Sequence, residues 1–576
     1  MNIYNTLKED VIQVASELFG TDFLTQITIE SPKDPLNGDL ATNAAMVIAN
    51  SIKRNPREIA SELKIKLSQL PYVAHVEIAG PGFINFTIHS TIWQNNLRNI
   101  IKDGNQYGFN NVGNGKKVNV EYVSANPTGP MHIGHARGAV YGDVLARLLV
   151  ACGYDVTKEY YINDAGSQIE ALVRTALLRY KEAALKQEII IPDGLYPGEY
   201  MVPVGKKLYA SYKEELLHIA EVEACAKIRS FVLSEMMELI KNDLKLMGIE
   251  HDVFLSEQSL HDSGSIESVV ERLKKDGLVY KGTLPPPKGS ENKDWVPQEL
   301  LLFKSTKYDD DQDRPIQKND GSWAYFASDL AYAEDKIRRG FEQIIVVLGA
   351  DHAGYVKRME AIVHALSNGE VGIDIKLCQL VNFIEDGELV KMSKRAGSFT
   401  TVRDVINEVG KDIIRFIMLT RKNDVGLDFD LAKVKEQSRD NPVFYVNYAY
   451  VRAGSVINNA GSKAPEAQEI YNSDKADLSL LSSEEELHVM KLLALWPRAV
   501  EGAAINFEPH RIVLFMQNLA SSFHALWNLG KENNNYRFVV EGDKNLTAAR
   551  MTLAKAVQNV IHSGFDIVGT EPMEKM

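Results

Sequence analysis

His132 and His135 stand three residues apart in VSANPTGPMHIGHARGAV (residues 123–140), behind a loop of Pro127, Gly129 and Pro130 and ahead of an apolar helical pattern. An imidazole at a helix start can donate a hydrogen bond to a phosphate oxygen and help neutralise charge that grows there in a transition state. Gly129 and Gly134 would let backbone approach a ligand closely. The pair could instead be polar groups facing water, and without a third ligand it makes a poor zinc site. A second cationic stretch lies far downstream. GELVKMSKRAGSF (387–399) places Lys391, Met392, Ser393, Lys394 and Arg395 between glycines. Flexible lysines can reach a triphosphate and follow its charge onto departing pyrophosphate, although in isolation the stretch could be a solvated loop. Neither GxxxxGK[ST] nor GxGxxG occurs, which removes the usual sequence support for a P-loop nucleotidase or a dinucleotide dehydrogenase.

Such groups need a scaffold. KVNVEYV reads as a strand, SANPTGP as a loop, and ARGAVYGDVLARLLVACG as a helix that Gly153 can cap. EQIIVVLGADHAGYVKRMEAIVHAL repeats the plan. Buried strands alternating with helices predict an α/β, doubly wound, Rossmann-like parallel sheet, with the ligand outside the carboxyl ends of its strands. Residues 1–110 read as a small α+β unit, and GNQYGFNNVGNGKK (104–117) has the composition of a linker. Residues 111–380 form the sheet-bearing unit, too long for its crossovers without an insertion within about 165–250. Residues 381–437 carry the lysine-rich loop. From residue 438 to 576 the patterns are helical.

The bulk numbers exclude several classes. A chain of 576 residues, 45% hydrophobic and 24% charged, is an ordinary soluble multidomain composition. Its net charge of −13 argues against indiscriminate nucleic-acid binding and leaves open a selective partner held by local basic patches. No apolar run approaches the roughly 18 residues of a membrane span, and the N-terminus lacks a secretory pattern. Cys152, Cys225 and Cys378 are scattered with no CxxC, so neither a disulfide framework nor a Cys-rich zinc site is expected and a cytoplasmic location fits.

Together, HIGH after a strand and KMSKR well downstream resemble the class I aminoacyl-tRNA synthetases. VEYVSANPTGPMHIGHARGAVYGD, YINDAGSQIE, WAYFASDLAYAEDK, GADHAGYVKR and NPVFYVNYAYVRAGSV are similar to the arginyl-tRNA synthetase family, bacterial type, as are NGDLATN and GPGFIN near the N-terminus. The resemblance runs from about residue 35 to the end. It implies activation of L-arginine with ATP, release of pyrophosphate, and transfer of arginine to the terminal adenosine of its tRNA. ATP would be held by Gly129, His132, Gly134, His135, Lys391, Met392, Ser393 and Lys394, with His132, His135, Lys391 and Lys394 catalytic. Many relatives lack the second lysine of KMSK and carry one just before HIGH; here Gly129 holds that place and Lys394 is retained.

The resemblance further implies that Asp329 binds the guanidinium with Tyr325 beside it and Glu257 as a second carboxylate. Ser124, Asn126 and His352 match positions that hold the α-amino and carboxylate groups, with Glu121 in the same network. Asp329 could alternatively serve only as a helix N-cap. The N-terminal unit would meet the tRNA elbow, and the helical unit would bind the anticodon through Tyr445, Tyr448, Arg452 and Met576. At this spacing the two tyrosines could equally be core. Mg²⁺ would accompany ATP as substrate, with no zinc, no editing domain, no membrane partner and a monomeric state. A cysteinyl-like class I synthetase, a small-molecule nucleotidyltransferase and a non-catalytic tRNA-binding paralogue are the competing readings.

Overall fold

Lys117–Glu121 forms a short strand whose residues after the first are all buried, as the centre of a parallel sheet covered on both faces requires. In the computed structural model, which describes all residues except 1, 23, 33, 286–297, 386, 391–399, 439 and 576, it pairs in parallel with Asp155–Ile162 on one side and Gln343–Gly349 on the other. Val253–Ser256 and Gly372–Cys378 form the two edges. The chain builds outward to one edge, returns across the centre and builds to the other. This is the doubly wound arrangement the alternating pattern predicts, and its switch point lies between Lys117–Glu121 and Gln343–Gly349.

The histidine helix, Ile133–Ala151, packs against this sheet with most of its circumference buried, including Ala136, Ala139, Tyr141, Val144 and Leu148. One face of the sheet joins a core that continues into the N-terminal and C-terminal units; the other has its own cluster around Tyr161, Leu330, Ile344 and Ile362. The N-terminal unit is a four-stranded antiparallel sheet with helices, among them Ile3–Phe19 and Ser90–Asp103. Between the second and third parallel strands, helices Ser167–Leu185, Met201–Tyr212 and Glu221–Leu246 enclose a core of their own around Leu172, Tyr180, Leu208 and Val232. The C-terminal unit is helical, with Pro442–Lys463, Glu484–Ile505, His510–Glu532 and Lys544–Val568 as its long members.

The segment with linker composition is not a free linker. Tyr107 is 7% exposed, and its carbonyl accepts hydrogen bonds from Trp496 Nε1 at 2.8 Å and Ser563 Oγ at 3.0 Å. Asn105 donates to Asp566 Oδ2 at 2.7 Å. Gly108 (φ +101°) lies so close to the Trp496 indole that a Cβ would meet it at 2.5 Å. Here glycine and asparagine serve tight turns against an indole. A buried ion pair fixes the other junction: Arg415 and Asp143 are both fully buried, 2.6 Å apart. Arg415 also donates to the carbonyls of Val568 and Met247, so the histidine helix, the insertion and the last helix meet at one guanidinium.

Candidate active site

The central strand ends in strained backbone. Val123 (φ +70°) and Ser124 (φ +39°) are consecutive residues in the left-handed region, a conformation a β-branched residue rarely adopts and one that concentrates at functional sites. Ser124 Oγ accepts from the Tyr161 amide at 3.0 Å, which ties the turn to the neighbouring strand. The loop then reaches His132, the N-cap of its helix. The His132 backbone N–H donates to His135 Nδ1 at 3.2 Å, and the two rings stack with centroids 3.7 Å apart. An Nδ1 that accepts leaves the proton on Nε2, so the far side of His135 is a donor. Gly134 has no room for a side chain: a Cβ would lie 2.9 Å from the His132 ring. At Gly129 (φ +146°) a Cβ would meet the Tyr200 ring at 2.7 Å. Both glycines therefore make room for protein rings. Lys391, Met392, Ser393 and Lys394 lie outside the described residues, which resume at residue 400, and Thr400–Val402 pairs with this loop. Ile133 N donates to Thr400 O at 3.4 Å, Val402 N donates to Met131 O at 2.8 Å, and His132 and Thr401 form a bridge.

Beside the same strand ends lies an acidic slot. Asp329 is in the second turn of helix Tyr325–Arg338, whose N-cap is Ala324, so it does not cap that helix. Burial, then the carboxylates of Glu257 and Glu121, push Asp329 up to about 7, with Arg358 pulling the other way. Glu257 begins helix Glu257–Asp262 and is 3% exposed, with Oε2 lacking a hydrogen-bond partner among the described residues. Burial also raises Glu257, partly offset by Ser328. The slot thus holds two largely buried acids that the protein compensates only in part, a costly arrangement in the charged form unless a cation completes it. Tyr161, 7% exposed, stands in the field of both carboxylates.

Glu121 differs from its neighbours because Lys336 neutralises it. Lys336 Nζ lies 2.5 Å from Glu121 Oε2, and both side chains are less than a tenth exposed. The ammonium also sits 4.2 Å from the centroid of the Tyr332 ring. Sequence reasoning missed Lys336, since a lysine on an amphipathic helix normally reads as solvated. Removing one partner of such a pair leaves a buried charge, so Lys336→Met is expected to cost about 3–5 kcal/mol of stability. Denaturant unfolding checks this, with Glu121→Gln/Lys336→Met recovering most of the loss.

The remaining arginine-site candidates have these surroundings. Tyr325, 55% exposed, donates its hydroxyl to Asn163 Oδ1 at 2.9 Å. Asn126 is exposed and donates to Gln168 Oε1 at 3.0 Å. His352 follows the Gln343–Gly349 strand, its Nε2 3.5 Å from Asp351 Oδ2.

Sequence comparison decides what this arrangement belongs to. Residues 96–438 match the family described as tRNA synthetases class I (R), catalytic domain; residues 5–88 match the arginyl tRNA synthetase N terminal domain; residues 446–576 match the DALR anticodon binding domain. The chain is 57% identical to the arginine--tRNA ligase of Rickettsia africae (strain ESF-5) and 55% identical to that of Rickettsia bellii (strain OSU 85-389), over the full length of each. The chain belongs to the arginyl-tRNA synthetases. Its fold also superposes over its whole length on the arginyl-tRNA synthetase of Thermus thermophilus, covering all of that chain, with a TM-score of 0.74 at 18% identity.

In the DALR unit of this arginyl-tRNA synthetase, Tyr445, Tyr448 and Arg452 share one helix and one cluster. Arg452 Nη1 donates to His524 Nδ1 at 2.8 Å, and its guanidinium lies 4.2 Å from the Tyr448 ring centroid and 4.9 Å from that of Trp527. His524 Nε2 donates to the Tyr445 carbonyl at 3.1 Å, and burial holds its pKa down to about 4, so the ring stays neutral while Arg452 donates to it. Tyr448 remains 39% exposed. His524 and Trp527 were missed because nothing in their local sequence marks them. Met576 lies outside the described residues, although Met573 N donates to Asn447 Oδ1 at 2.8 Å and so ties the tail to the tyrosine helix.

Proposed function

We propose that this synthetase activates L-arginine with ATP to arginyl-adenylate and pyrophosphate, then transfers arginine to the terminal adenosine of its tRNA. Glu257 carries the reading: a buried carboxylate at the carboxyl end of an edge strand, one oxygen without a hydrogen-bond partner among the described residues, beside a second largely buried acid, Asp329. A guanidinium, planar and always charged, suits two carboxylates better than any other amino-acid side chain. Asp329 and Glu257 hold it, and Tyr325, Ser124, Asn126 and His352 line the approach for the α-amino and carboxylate groups. The ionised substrate carboxylate needs no general base. It attacks the α-phosphorus in line, pyrophosphate leaves, and the Nε2–H of His135, with His132 beside it, donates to phosphate oxygens as charge develops. Lys391 and Lys394 follow that charge onto pyrophosphate.

Mg²⁺ enters with ATP as the counter-ion of its phosphates. No helix among the described residues is long and apolar enough to cross a membrane; a cytoplasmic monomer with no zinc and no editing domain is the state we infer. The 1–110 unit meets the tRNA elbow and the 438–576 unit the anticodon loop, where the aromatic faces of Tyr445 and Tyr448 take unstacked bases. Arg452→Lys removes a stacked guanidinium worth about 1 kcal/mol, so the tRNA KM should rise about five- to tenfold with the arginine KM unchanged in aminoacylation assays. The reading as a whole is tested by ATP–pyrophosphate exchange with and without tRNA. Exchange dependent on arginine and tRNA supports it; exchange without tRNA and with a non-amino-acid substrate would favour a small-molecule nucleotidyltransferase.

A further inference from the structure

The helical insertion between the second and third parallel strands touches the histidine loop from each of its three helices. Gln168, in the first helix, accepts from Asn126 Nδ2 at 3.0 Å. Tyr200, at the N-cap of the second, donates its hydroxyl to the Thr128 carbonyl at 2.7 Å, while its ring fills the space above Gly129. Asp243, in the third, is 1% exposed and does two things. Its Oδ2 accepts from the backbone N–H of Met131 at 3.0 Å, and its Oδ1 accepts from Arg403 Nη2 at 3.1 Å and Nε at 3.3 Å. Met131 immediately precedes His132. Arg403 follows the Thr400–Val402 stretch that pairs with the same loop.

We infer that the insertion is a clamp on the ATP-binding loop, with Asp243 and Tyr200 as its positioning residues. A carboxylate costs too much to bury without reason, and this one is spent on joining two segments that are distant in sequence. One of its oxygens fixes the amide next to the catalytic imidazoles; the other fixes the guanidinium on the return segment. The two segments therefore hold a common register, and Tyr200 keeps the start of the loop in line with it. The clamp touches no substrate. It acts through the placement of His132 and His135, where a shift of about 1 Å can cost roughly a hundredfold in rate. This rests on the proposal that the loop binds ATP, and it extends that proposal by giving the insertion a role.

The test uses the full-length protein with arginine, ATP and tRNA, measuring KM and kcat for each substrate alongside the unfolding temperature. Asp243→Asn and Tyr200→Phe are each expected to lower kcat/KM for ATP by about 10- to 100-fold, with the arginine KM within about twofold and the unfolding temperature close to native. Arg403→Lys should retain activity that Arg403→Met loses. If Asp243→Asn does not fold, Tyr200→Phe, which removes one hydroxyl, decides. Native ATP constants in the folded variants overturn the clamp, as does an arginine KM that rises in step with that for ATP. His135→Ala, run in parallel, separates the two ideas. If it loses exchange while Tyr200→Phe and Asp243→Asn keep native constants, only the clamp fails; if it too is native, the loop does not bind ATP.

Discussion

Asp329→Ala raises the arginine KM by about two orders of magnitude or more and leaves the ATP KM within about twofold, because truncating one partner of a desolvated charge pair costs about 2–5 kcal/mol. Steady-state exchange kinetics check both constants. An unchanged arginine KM would remove Asp329 from the pocket. The same residue gives the reaction a pH signature. With Asp329 pushed up to about 7 by burial and by Glu257 and Glu121, the carboxyl is largely protonated at pH 6. Arginine keeps its charge throughout. Binding requires the anion, so the arginine KM should rise about tenfold for each pH unit below 7, and binding of the guanidinium should release the Asp329 proton near neutrality. The slope belongs to Asp329 and should vanish in Asp329→Asn, at a uniformly high KM.

His135→Asn separates a structural role from a chemical one. Asparagine Oδ1 can accept the His132 backbone N–H in place of Nδ1, while the donor at Nε2 is lost. The unfolding temperature should stay near native and kcat for exchange should fall by about 10²- to 10³-fold, the range for removing one preorganised donor from a site of developing charge. A loss of activity matched by a loss of stability would instead make His135 a helix cap alone.

The sheet and its switch point were legible because buried parallel strands print their burial directly as continuous apolar runs, and because a glycine- and proline-rich turn before a helix has few uses. The acidic slot was legible only through resemblance: Asp329 and Glu257 come from distant helices, and no local pattern joins them. Lys336 and Asp243 were illegible for a common reason. Each is a charged residue on an amphipathic helix, and only the folded chain shows that its face is turned inward to another charge. The stretch 104–117 misled in the opposite direction. Glycine and asparagine signal tight backbone as readily as mobile backbone, and only the Trp496 indole decides between them. At Gly129 and Gly134 the space a Cβ would fill is taken by the Tyr200 and His132 rings, a demand for glycine that no local pattern shows.

Charging total tRNA with each of the 20 amino acids in turn tests the acidic slot most directly. Two carboxylates set for a planar fork should accept arginine and reject lysine, whose point-charge ammonium cannot satisfy both, by a factor of about 10⁴ or more without any editing step. Incorporation of arginine alone is the predicted result. Comparable incorporation of lysine, or of any uncharged amino acid, would contradict it.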